Sequence, residues 1–543
     1  MRLAVIFISV FLLTNITIFG QRNNDSTKPG TVINIGSVIR YNYQDKDSAG
    51  KFISLVGQGK TQAYVWQEKT KFYADSIVLD QKQNILEAFG NVHINDADSV
   101  HTYSQYLKYL GKEKIAYLKN NVKLTDGKGV LTTNDLDYDT QFKIGKYYNG
   151  GKLVNKKTVL TSVEGYYYGG THDVYFKRNV VLNDPDTKVF TDTLLYNIDS
   201  NRSTFVCPTK IVQGKRITNT QDGYYDLKKK KGVFGKRAFI DDSTYTFTAD
   251  QMAYDDSTGL GEAQGNAVYR SKDTAGGYDM IANNIKLNNK IGSFIATQKP
   301  ILFIKQKNDT TYISADTLYS AKVSLTRKKR NIPDVRPVDT SSLKAKIISK
   351  PDSSTDRFFE AYHHVKIYSD SMQAVCDSLF YSLKDSSIRM FTNPVVWAQK
   401  TQIVGDTIYL FLENKKPQLL KVIENALAIS KEGEEYFNQI KGNYINMFFK
   451  DGKVSYMRTK GSPAENVYYA VDENKKFVGV NKSTCDVIEA YFENDELERV
   501  KFINRLEGTM YPMNQVNHKE LRLRKFVWLD DKRPKSKFDI FMN

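Results

Sequence analysis

Ala74-Asp75-Ser76-Ile77-Val78-Leu79, followed after a polar turn by Glu87-Ala88-Phe89-Gly90-Asn91-Val92-His93-Ile94, holds the pattern that the rest of the chain repeats. Ile77 and Leu79 are spaced by two, the period of a strand. Asp80 to Asn84 are turn formers. Gly90-Asn91 breaks the next run and reads as a bulge or corner. Beyond it Val92 and Ile94 return to one face. Such a unit makes two or three short strands with one apolar face. It cannot bury that face alone, so units must stack.

The copies are numerous. Thr191-Asp192-Thr193-Leu194-Leu195-Tyr196, Ala249-Asp250-Gln251-Met252-Ala253-Tyr254, Ala315-Asp316-Thr317-Leu318-Tyr319, Cys376-Asp377-Ser378-Leu379-Phe380-Tyr381 and Gly405-Asp406-Thr407-Ile408-Tyr409-Leu410 share one template. It runs small, Asp, polar, aliphatic, any, then aromatic or aliphatic. Weaker copies centre on Gln105, Asn134, Glu164, Asp222 and Asn283. From Asp75 to Asp316 the equivalent positions recur at intervals of 28 to 33 residues. Second halves recur too, as in Lys119 to Leu124, Lys177 to Leu182 and Glu262 to Val268, with Pro300 and Pro394 taking the Asn position. An internal repeat of this length marks a stacked architecture.

The regular array runs from about 30 to 320. A segment from Ala321 to Asp356 interrupts it, with nine Lys/Arg against four Asp and three prolines, and reads as a disordered basic insertion. The template returns from 357 to about 430. From 431 to 543 the style becomes hairpin-rich, as in Ile445 to Met457 around Asp451-Gly452, and Val487 to Phe502. Met1-Arg2, the apolar run from Leu3 and the small residue Gly20 form a signal peptide over residues 1–20, with cleavage expected near Gly20–Gln21. The expected fold class is all-β.

The Ala-Asp-x-Leu-x-Tyr step followed by Glu-Ala-x-Gly-Asn-Val, repeated behind a signal peptide, resembles the OstA/LptA-like family. The clearest matches are Ala74 to Ile94 and Ala249 to Val268. Recognisable copies cover roughly 30–430, about eleven units where the small periplasmic members have a few. The longer OstA-like proteins of Bacteroidetes-type bacteria are more similar. The resemblance implies an elongated stacked β-jellyroll, a folded-over sheet whose apolar interior carries acyl chains. It implies a periplasmic location, possible association with the outer membrane, lipopolysaccharide as cargo, and pairing of edge strands with other transport components of the envelope. It implies no cofactor.

Composition sets the competing readings. The chain has 543 residues and a formal charge of +17, falling to +16 once Arg2 leaves with the leader. That charge suits an anionic glycolipid as well as it suits a solvated surface. Tyr (35) and Phe (29) favour strands, and 12 prolines exclude a proline-rich stalk. A β-helix carbohydrate-active protein would need clustered carboxylates. Here Asp75, Asp192, Asp250, Asp316 and Asp377 recur once per unit, which marks a turn or ladder device, so no enzyme is expected. A structural or adhesive envelope protein without lipid cargo is the other alternative. A membrane barrel is disfavoured by strands read as short and polar-interrupted. Cys207, Cys376 and Cys485 read as small buried residues. His363 and His364 are adjacent and cannot share a metal from one strand. His93, His101, His172 and His518 show no partner spacing, and no metal is expected. Lys228 to Lys231 reads as a turn, not a nucleic-acid patch.

The candidate site is the inner face. Ile77, Leu79, Val92, Ile94, Leu107, Val122, Leu124, Leu136, Val180, Leu182 and Leu194 fall at equivalent same-face positions. They are expected to form one apolar stripe that lines a lipid-binding groove. In an open groove, truncating them should cost less than the ~2–5 kcal/mol of a sealed core.

Overall fold

A computed structural model describes residues 32–36, 40–46, 50–57, 61–272, 277–305, 310–326, 356–383, 385–413, 416–493 and 496–541. The expected signal peptide, 1–20, and most of the expected insertion lie outside these. The chain divides into two units, residues 1–149 with 168–170, and residues 150–167 with 171–543. Both are all-β, and among the described residues no helix is long and apolar enough to cross a membrane.

In the first unit the quoted stretch shows how the sheet folds over. Ile85–Asp96 is a single strand, paired along its length with Val100–Leu110, with a register break between Phe89 and Val92. Before the break it also pairs with Ser76–Asp80, with Leu79 opposite Leu86. Beyond it the partner is Thr70–Ala74, with Phe72 opposite Ile94. One strand therefore serves two sheets that face each other, here termed the first sheet (Ser76–Asp80 side) and the second (Thr70–Ala74 side). Short strands are present as expected, five residues each in Ala63–Gln67, Thr70–Ala74 and Ser76–Asp80, but strands of 11 and 12 residues stand beside them, because the Gly-Asn step turns a strand without ending it. The second unit repeats the plan. Leu260–Ser271 pairs with Gln251–Asp255 before its bulge and with Tyr245–Thr248 after it.

The recurrent aspartate builds the corner. At the bend two successive residues take left-handed φ, such as Gly90 and Asn91, Gly265 and Asn266, or His363 and His364. Gly and Asn tolerate that region best, which is why they recur there. The Asp75 N–H donates to the Gly90 carbonyl (3.0 Å), and the Asn91 amide donates to the Asp75 carboxylate (2.8 Å). Asp250 with Gly265 and Asn266 repeats both bonds, and Asp406 with Glu424 and Asn425 does the same. His364 bonds Asp316 instead (2.9 Å), and His363 bonds Asp377 (3.1 Å). The two histidines thus sit at a corner, each engaged by its own aspartate, and not in alternating strand positions.

Three further readings change. Ala321 ends the strand Thr317–Ala321, and Val323–Thr326 is a helical turn whose Val323 and Ser324 N–H groups donate to Asp356. Residues 321–326 and 356 are therefore ordered parts of the fold, and 327–355 lie outside the described residues. His93 and His101 do meet: the Ile85–Asp96/Val100–Leu110 hairpin brings their ring nitrogens to 3.1 Å, between Tyr73 and Tyr103. Burial and then the neighbouring His101 hold the His93 pKa below its ordinary value. Finally, the hairpin pairs around Asp451-Gly452 and residues 494–495 are present, but strands end with Glu507–Tyr511.

The residues after Tyr511 form a strap in the second unit. It runs across the outer face of strands that pack inward on the opposite sheet. The Leu523 N–H donates to Gln439 (2.8 Å). Gln402 donates to the Val527 carbonyl and accepts from the Leu529 N–H, both at 2.7 Å. Arg533 donates to Gln373 (2.6 and 2.9 Å). Leu521 and Leu523 join Leu427, Ile429, Val467 and Val480 in one apolar cluster, and Phe526 and Trp528 pack on Phe437. Val395–Ala398, which pairs with the strands carrying Gln373 and Gln402, is buried at every residue. Cys376 and Cys485 are buried thiols and Cys207 is partly exposed; all three are free. Burial pushes the Cys376 thiol up to about 12.

Candidate functional site: the space between the sheets

All eleven candidate residues point into the space between the sheets. The structure places Ile77, Leu79, Val92, Ile94, Leu107, Val122, Leu124 and Leu136 inside the first unit, and Val180, Leu182 and Leu194 inside the second. None is more than 2% exposed. They are brought together with residues the sequence reading did not name, such as Phe72 and Leu86, also fully buried. At these positions the interior is closed and close-packed, as protein cores are, with no groove open to solvent.

Opposite the corners the two sheets are joined by tyrosines. The Tyr138 hydroxyl donates to Asp96 (2.7 Å) and the Tyr109 hydroxyl to Gln67, both in the first unit. In the second unit the Asn155 amide donates to the Tyr196 oxygen (2.9 Å), and the Tyr254 hydroxyl donates to Gln213 (3.0 Å). In each pair the tyrosine stands one residue before the end of a strand of the first sheet, and its partner ends a strand of the second. The spacing is 41 or 42 residues every time. Tyr196 and Tyr254 hold the last place of the Asp template, so the signal was present. It was legible only as "aromatic or aliphatic", because its partner lies far upstream on the other sheet.

Burial pushes the Tyr109 and Tyr196 phenols up to about 12. The sign follows directly. A folded-state pKa above the unfolded value of 10.0 gives stability that is whole below pH 10 and is lost as pH rises through about 12. Urea midpoints should therefore begin to fall near pH 10, and Tyr109→Phe with Tyr196→Phe should flatten that fall. An unchanged alkaline profile in the double variant would show that these phenols ionise normally.

The interior loosens in one region of the second unit. A cavity of about 160 Å³ lies between the sheets there. Its floor is Ile240, Phe247, Met252, Met280, Ile285 and Phe294, contributed by both sheets. Phe247 and Phe294 are 6% and 7% exposed, where the stripe residues are at most 2%. An apolar cavity of about 150 Å³ is large enough to bind benzene. The mouth is polar and aromatic. Tyr245, Tyr269 and Tyr278 stack in sequence at 5.3 and 5.4 Å between ring centres. Arg357 lies over Tyr278 (5.9 Å) and donates to Ser320 (2.9 Å). Arg216 pairs with Asp256 (3.0 Å), lies over the Tyr254 ring (4.7 Å) and donates to Gln213. Asp255 and Glu262 also reach the mouth, where Lys231 and Lys286 pair with them. The site can thus hold an apolar chain inside with a polar group at the edge. Among the described residues there is no metal-ligating cluster.

The model of the OstA-like protein family matches the chain over residues 60–192 and 166–250. Among curated proteins no sequence matches it.

Proposed function

We propose that this chain, whose residues 60–250 are of the OstA-like family, is a lipid-binding conduit of the periplasm that takes part in lipopolysaccharide transport to the outer membrane. Acyl chains are sheltered between the two sheets, and the sugar-phosphate part remains at the polar edge. The observation that carries this reading is the cavity behind Phe247, Met252, Met280 and Phe294, where the otherwise closed interior leaves apolar room. Export by the leader, and pairing of edge strands with other envelope transport components, complete the proposal. Burial of apolar area supplies the affinity, at roughly 0.8 kcal/mol per methylene taken from water.

The test is to purify the chain from its own envelope without detergent exchange, extract it with organic solvent, and identify bound molecules by mass spectrometry. An acylated glycolipid in the extract is the expected result. Its absence, with cleavage near Gln21 verified and the fold intact, would leave a structural or adhesive envelope role in its place.

A further inference from the structure

We infer that the rung formed by Gln213, Arg216, Tyr254 and Asp256 is the port through which an acyl chain enters the interior sideways; the inference rests on the lipid-carrying reading above. Of the four rungs named above, this one is built differently from the other three. Tyr109, Tyr138 and Tyr196 are at most 1% exposed, so opening those rungs breaks buried hydrogen bonds and exposes packed rings. Tyr254 is half-buried, and its rung is closed by the Arg216–Asp256 ion pair, whose side chains are 19% and 28% exposed. Ion pairs in contact with water contribute little to stability, because solvent replaces the partners as they part. The Tyr225 hydroxyl also donates to Asp256 (3.1 Å), so the closure is a polar network at the surface. Directly behind it lies the cavity, which Arg216, Tyr254 and Asp256 all line. A weak rung and the room for a chain thus coincide. At Tyr196 the rung is sealed, and Asn155 is held there by Ile198 and Asn201 as well.

Stopped-flow uptake of a long-chain conjugated-polyene fatty acid, whose fluorescence rises in apolar surroundings, tests this on the full mature chain. Tyr254→Phe removes the bond to Gln213, and Asp256→Asn removes the charge of the ion pair with Arg216; both retain shape. Each should raise the uptake rate about 3- to 10-fold, the range expected for losing one net hydrogen bond. Tyr196→Phe, the matched control at a sealed rung, should stay within about 2-fold of wild type. Equal rates in all three variants, or a change confined to the amount bound, would overturn the port. Absence of uptake by the wild type at any probe concentration would instead sink the lipid-carrying reading, and the port with it.

Discussion

A chain truncated after Tyr511 should lose about 5 kcal/mol or more of stability and aggregate on purification. The strap buries Leu521 and Leu523 and packs Phe526 and Trp528 on Phe437. Each large apolar side chain taken from water contributes about 1.5–3 kcal/mol. Removing the strap also uncovers Leu427 and Ile429, and takes from Gln373, Gln402 and Gln439 the hydrogen bonds they make to it. An exposed apolar sheet face of that kind is an aggregation surface. Thermal melts and light scattering of the truncated and full chains decide the matter. Gln402→Ala, which removes two of the strap's hydrogen bonds, should lower stability by about 1–3 kcal/mol. A truncated chain that melts like the full one would show the strap to be a passive tail.

Ile94→Asp should destabilise the first unit by about 3–5 kcal/mol or more, well beyond Ile94→Ala. Ile94 is fully buried and faces the interior beside Phe72, its partner in the ladder. A carboxylate there must either stay charged in an apolar space or take up a proton, and both are costly. The sequence reading expected a mild effect, on the supposition of a groove open at this position. The closed packing of the stripe reverses that expectation. Denaturant unfolding followed by circular dichroism measures it. A loss under about 1 kcal/mol would mean that the interior at Ile94 already admits solvent or lipid.

Local periodicity made the corner legible, since the Asp, the Gly-Asn step and the flanking apolar pairs lie within one unit. Asp75, Gly90 and Asn91 do in the structure what their chemistry suggests. The inner stripe was legible for the same reason, but not whether it was filled. Packing density depends on which residue stands opposite, as Phe72 does to Ile94, and the period does not carry that. The tyrosine rungs needed a pairing across 41 or 42 residues between two sheets. The strap has no period at all, and its anchors Gln373, Gln402 and Gln439 look like ordinary outward polar residues of strands. The cavity has its trace in Met252, which stands where the first copy has Ile77, and in Gly261, which stands where it has Leu86. A glycine brings no side chain to the space that Leu86 helps to fill in the first copy.

Site-specific photo-crosslinking in living cells bears most directly on the claim that lipid travels between the sheets. A photoreactive amino acid would replace Phe247 or Met280 on the cavity floor. Ile295, whose side chain is 39% exposed on the opposite face of its strand, serves as the outer control. The account predicts a lipopolysaccharide adduct at Phe247 and Met280 and none at Ile295. Adducts at Ile295 alone, or none at any position in a folded and exported chain, would contradict it.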